Sequence, residues 1–199
     1  MTDAPAGIAE EDQSRAMLYA LIGRLFYDGP DAAMLARIAA GAADADTALG
    51  AAWQTLAAAC READPAALQY EHQTLLIGVG KSPVTPYTSA YVSDISPERH
   101  LLALREQLAA WGLARDAQLG EVEDHVSGVC DVMRYLIERG ESLQTQEIFF
   151  NKFIYLQMIH LCEKVVALES ALFYRHVARF TTAFLEVERT AFEMIDSGA

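Results

Sequence analysis

The sequence predicts an all-α protein, a single bundle of seven or more helices carrying one long functional loop over about residues 78–95. Three observations predict it. Apolar residues recur at three- and four-residue spacing through almost the whole chain. No segment alternates apolar and polar residues as a half-buried strand would. Glycine, proline and capping Asp or Ser residues punctuate the helical stretches. With 199 residues, 52% of them apolar, one domain has enough apolar surface for a sizeable core. We expect a frayed segment over residues 1–11 and one helical domain over 12–199.

The first helix shows a stripe of Met17, Leu18, Leu21, Ile22, Leu25 and Phe26, ended by Gly29-Pro30. Asp31 caps a short second helix through Met34, Leu35 and Ile38, stopping near Gly41. A third spans about 47–63, with Leu49, Trp53, Leu56 and Cys60 on one side. Asp64-Pro65 restarts the chain with a capping carboxylate and a proline at the first helical position. That fourth helix carries Leu68, Leu75 and Leu76 and ends at Gly78-Val79-Gly80. After the loop, Ser96-Pro97-Glu98 opens a helix with Leu101, Leu104, Leu108 and Trp111 inward and Gly112 as its stop. The spacing predicts another helix over 121–139, through Val126, Val129, Cys130, Met133, Leu136 and Ile137. Ser142 caps a long helix to about 168, apolar on most sides and therefore central. The last helix presents Phe173, Val177, Phe180, Phe184, Ala191 and Ile195.

Charge and motif content narrow the function. The 28 acidic and 15 basic residues give a net charge of −13, which argues against nucleic acid and anionic membrane as partners. Ordinary solubility is the simplest use of that charge; a cationic partner is the other. Cys60, Cys130 and Cys162 stand in apolar patterns without CxxC spacing, so they read as small hydrophobes in a reducing cytoplasm. Residues 1–14 are acidic and lack the apolar core of a secretory signal, and no run is long enough to span a bilayer. Without Glu-x-x-His, a di-iron bundle has no support. Gly78-Val79-Gly80-Lys81 lacks the phosphate-loop spacing and follows no strand. We expect no metal, no cofactor and no catalytic residues.

Two motifs remain. In the loop, Pro86 fixes its own backbone and biases Thr85 toward an extended shape. Tyr87 and Tyr91 are rigid and amphipathic, suited either to gripping a peptide or to pinning the loop on the bundle. Ser89 can bond a backbone group. In the second motif, Glu121, Glu123 and Asp124 fall in the first turn of the expected helix, where the macrodipole favours carboxylates. His125 lies four residues from Glu121 and can pair with it along that helix. The cluster can cap the helix or hold an arginine, and its residues alone do not choose.

The ordered set of motifs resembles the TorD/DmsD family of redox-enzyme maturation chaperones. The matching stretches are residues 72–80 around Leu75-Leu76-Ile77-Gly78, then Pro86-Tyr87-Thr88-Ser89-Ala90-Tyr91, then Glu121-Val122-Glu123-Asp124-His125. Tyr19, Leu21 and Leu25-Phe26 near the start and Phe173-Tyr174-Arg175 near the end fit as well. His72, Leu76, Val79 and Val122 stand where the family has an aromatic, a phenylalanine and two prolines. The resemblance implies a cytoplasmic chaperone, not an enzyme, that binds the twin-arginine signal peptide or apo catalytic subunit of a molybdoenzyme. The client would be of the formate dehydrogenase or DMSO-reductase type. Leu75, Leu76, Pro86, Tyr87, Ser89 and Tyr91 would receive the apolar part of the peptide. Glu121, Glu123, Asp124 and His125 would face its arginines. The resemblance also implies weak guanine nucleotide binding and either a monomer or a domain-swapped dimer. Two other readings stay open: a helical nucleotide-binding protein or enzyme using the turn at residues 78–81, and a structural or adaptor bundle.

Overall fold

The structure, a computed structural model, describes residues 9–78, 82–113 and 122–196. Among them it is all-α, with no strand and nine α-helices in chain order. These are α1 (Glu10–Tyr27), α2 (Ala32–Ala40), α3 (Ala48–Glu62), α4 (Pro65–His72), α5 (Pro97–Ala110), α6 (Val126–Glu138), α7 (Leu143–Phe149), α8 (Tyr155–Val166) and α9 (Tyr174–Asp196). The expected caps Asp31, Asp64, Ser96 and Ser142 each accept a backbone N–H from the first turn they precede, and Thr47 does the same for α3. α1 lies along α6, α9 runs between α8 and α3, and α2 packs on α3.

Four expectations are corrected. The long helix from Ser142 is interrupted by a π-turn at Phe150–Ile154. Its extra residue rotates the apolar stripe, so that Phe149, Phe150, Phe153 and Ile154 are all buried, followed by Met158, Leu161 and Val165. A second π-turn, Gln73–Ile77, ends the α4 segment, and Gly78 closes it with φ +66°, a left-handed conformation natural to glycine. On α1 the buried side is Ala16, Tyr19, Ile22, Leu25 and Phe26, while Met17 is 60% exposed. Tyr19 goes inward because its hydroxyl has a buried partner: it donates to Glu188 on α9 at 3.0 Å. On α9, Phe192 is buried where Ala191 was expected.

Two carboxylates join distant parts of the chain. Glu188 is buried and takes a two-pronged bond from Arg15, Nε to Oε1 at 2.7 Å and Nη2 to Oε2 at 2.9 Å. Burial works against the Arg15 charge, but this pairing outweighs it and raises the guanidinium pKa further. Glu71 on α4 caps α9 from across the fold, accepting the N–H groups of Phe173 and Tyr174 at 2.9–3.1 Å. Beside it, Tyr174 donates to the Leu25 carbonyl at 2.9 Å and His72 Nε2 meets the Phe26 carbonyl at 3.3 Å.

That arrangement sets a pH dependence. A carbonyl only accepts, so His72 holds its proton on Nε2, and its Nδ1 is buried without a partner. The Nδ1 of His176 is in the same position. Burial pushes the pKa of His72, His100 and His176 down. In the unfolded chain these rings protonate near pH 6.5. Their contribution is therefore complete above about pH 6.5 and shrinks as the pH falls through the lower folded values. We expect melting temperature to be flat from pH 8 to 7 and to fall below about pH 6.5, with a shallower fall in His72→Phe. An unchanged melting temperature down to pH 5 would contradict this.

Candidate functional site

From Ser82 on, the described part of the expected loop is an ordered strap. Its segment 86–89 runs antiparallel to 124–126. Val126 N–H donates to the Pro86 carbonyl at 2.9 Å and Thr88 N–H to the Asp124 carbonyl at 2.8 Å, around a single bridge between Tyr87 and His125. Ser89 N–H donates to the Asp124 carboxylate at 3.2 Å. A 3₁₀ turn follows at Thr88–Tyr91.

Each end of the strap is anchored near a π-turn. Val84 N–H donates to the Leu75 carbonyl of the first at 3.1 Å. The buried Thr88 hydroxyl meets His100 Nε2 at 3.3 Å, and the His100 ring packs edge-on against Phe153 of the second at 5.4 Å. Tyr91 donates to the Thr85 carbonyl at 2.9 Å, closing the loop on itself, and Lys164 lies 5.9 Å over its ring. Burial pushes the Tyr91 pKa up to about 12, so it stays a neutral donor.

The second motif is not helical at its start. α6 begins at Val126, so Glu123 and Asp124 lie in a turn before it rather than in its first turn. His125 is the N-cap: its Nδ1 accepts the Ser127 N–H at 3.1 Å. Residues 122–125 lie outside the helix, and Glu121, the other member of the expected pairing with His125, lies outside the described residues. The strap's amides take Asp124 out of helical geometry. Gly128 makes room for the turn, since a Cβ there would stand 2.7 Å from the Glu123 carbonyl.

The sequence-selected residues are thus divided. Leu75, Leu76, Pro86, Asp124 and His125 are buried, with Asp124 only 2% exposed. Tyr87, Ser89, Tyr91 and Glu123 are partly exposed. Glu121 lies outside the described residues, as do Val79, Gly80 and Lys81 of the glycine turn. Sequence reasoning missed Tyr27. Its ring meets one side of His125 at 6.1 Å, and Tyr87 meets it at 5.3 Å, both edge-on. It also missed Arg105, which pairs with Glu123 at 3.0 Å. Neither had a signal, because both contacts arise from the tertiary arrangement. The result is a rigid surface of two tyrosines around a capping histidine, with one partly exposed carboxylate beside it.

Among the described residues no group of His, Cys, Asp and Glu could hold a metal ion, and no helix is long and apolar enough to cross a membrane. The three cysteines are free and buried; burial raises the pKa of Cys60 to about 11 and of Cys162 to about 12.

Fold and strap define a class: an all-α bundle bearing one ordered, backbone-paired loop. The family described as nitrate reductase delta subunit matches residues 42–186, and the chain belongs to that TorD-like family, as the motifs led us to expect. A Haemophilus influenzae protein named as a Tat proofreading chaperone, DmsD, is 30% identical over 121 residues. That match covers 58% of this chain and 57% of the relative, so the chain spans little more than half of that protein's length. A crystal structure of a redox enzyme maturation protein from Archaeoglobus fulgidus aligns with a TM-score of 0.57 at 21% identity. It covers 93% of this chain and 99% of that one, and it supports the fold.

Proposed function

We propose that this protein is a cytoplasmic chaperone that binds the twin-arginine signal peptide of a molybdenum-containing oxidoreductase and holds the apoenzyme until its cofactor is inserted. Family membership and the DmsD relative support the chaperone role. The observation that carries the site is the strap's fixed pairing to 124–126, which presents Tyr87, Tyr27 and Glu123 on a preorganised surface. Preorganisation lowers the entropy lost when a flexible peptide docks.

Buried and bonded, Asp124 and His125 act as the strap's anchors rather than as direct contacts. Glu123 is the carboxylate that meets the peptide. Its partner Arg105 is half exposed, and an ion pair to a solvated arginine is weak, so an incoming guanidinium can replace it at little cost. The tyrosines then pack the apolar residues that follow the arginines. This reading requires no catalysis and no bound cofactor.

Calorimetric titration of a synthetic twin-arginine signal peptide tests it. We expect a Kd on the order of tens of micromolar, weakened about tenfold by Tyr87→Ala. A twin-lysine peptide should bind less well, because the ammonium lacks the planar fork that matches a carboxylate. Absence of binding at several hundred micromolar would remove the proposal.

A further inference from the structure

On the side of the bundle formed by α1, α2 and α3 lies an open cleft of about 330 Å³. Its walls are Met17, Leu21, Met34, Ile38 and Trp53, and no carboxylate lines it among the described residues. Two arginines do line it. Arg37 is exposed and makes no ion pair with any described residue. Arg24 reaches Asp28 only at 3.4 Å, and its Nη1 is enclosed without an acceptor. A protein of net charge −13 thus carries two under-used guanidiniums beside its apolar cleft.

The chemistry of this cleft is opposite to that of the strap. An apolar trough between helices accepts the apolar side of another helix, and methionines adapt to its shape. Guanidinium groups with spare donors match carboxylates in planar, charge-assisted pairs. The volume suits a few apolar side chains. We propose that this cleft is a second docking site, for an amphipathic helix that places apolar side chains between α1, α2 and α3 and glutamate or aspartate on Arg24 and Arg37. It goes beyond the twin-arginine reading, because a basic signal peptide would be repelled here.

The probe is a fluorescent helical peptide of leucine, alanine and glutamate, roughly 18 residues long so that it can hold a helix, together with its glutamine-for-glutamate version. The full chain carries Trp111→Phe, so that of its two tryptophans only Trp53 reports on the cleft. We expect saturable binding by anisotropy, a shift of Trp53 emission, and about tenfold weaker binding of the glutamine peptide. Arg37→Glu and Met17→Glu change exposed positions and should each weaken the acidic peptide about tenfold while leaving the twin-arginine peptide's Kd unchanged. Equal binding of the two probes, a silent Trp53, or unchanged binding in Arg37→Glu would each overturn the proposal. So would an equal loss for both peptide types, since one site would then serve both. Failure of the twin-arginine titration alone would count against the strap and not against the cleft.

Discussion

Glu188→Ala should cost about 3 kcal/mol or more, the range for breaking a buried ion pair by removing one partner. The Arg15 side chain is 14% exposed and Glu188 2%, so neither charge is well hydrated in the fold. Removing the carboxylate leaves a largely enclosed guanidinium whose remaining ion pair is with Asp12, and it takes away the acceptor of the buried Tyr19 hydroxyl. For a chain of this size the melting temperature should drop by roughly 10 °C. Urea unfolding followed by far-ultraviolet circular dichroism measures the free energy directly. The double substitution Arg15→Met with Glu188→Leu should recover most of the loss, because it removes the unpaired charge together with its partner. A loss under about 1 kcal/mol for the single substitution would mean that the pair behaves as an exposed one.

Asp124→Ala should damage the fold less and function more. The alanine leaves the part-buried Ser89 N–H without its acceptor, at about 1 kcal/mol for a lost hydrogen bond. Helix α6 keeps its own cap, which is His125, so the helical content should hold. What loosens is the strap. Hydrogen exchange at Thr88 and Ser89 should accelerate, and twin-arginine peptide affinity should fall about tenfold or more. Asp124→Asn retains a side-chain oxygen that can accept from Ser89 and should keep most of that affinity. Rapid exchange with undiminished peptide binding would show that strap order is irrelevant to recognition.

The helices and their caps were legible because they depend on local chemistry: Asp64 before Pro65, Ser96 before Pro97 and Ser142 before α7 each act within one turn. The strap's partnership with 124–126 was not legible in physical terms. Glu-Val-Glu-Asp reads as a sound first turn of a helix, but Asp124 instead takes the amides of Thr88 and Ser89, 35 or so residues away. The family resemblance placed the two motifs together without saying how they bond. The α1 register failed for a similar reason. Met17 and Tyr19 both fit an apolar stripe, and the decision lies with Glu188, 169 residues on from Tyr19. The π-turn at Phe150–Ile154 has no local marker; it lets Phe149, Phe150, Phe153 and Ile154 all be buried.

Glu71 carries a consequence for synthesis. The N-terminus of α9 borrows its cap from a residue 102 positions earlier, and α1 waits for Glu188 to neutralise Arg15 across 173 positions. On the ribosome, α1 through α8 can form turns and touch, yet Glu71 and Arg15 both hold their charges without those partners until the last helix emerges. Closing loops of that length is entropically slow. Both long-range pairings can therefore be completed only once α9 is made, and α9 is the piece that joins them.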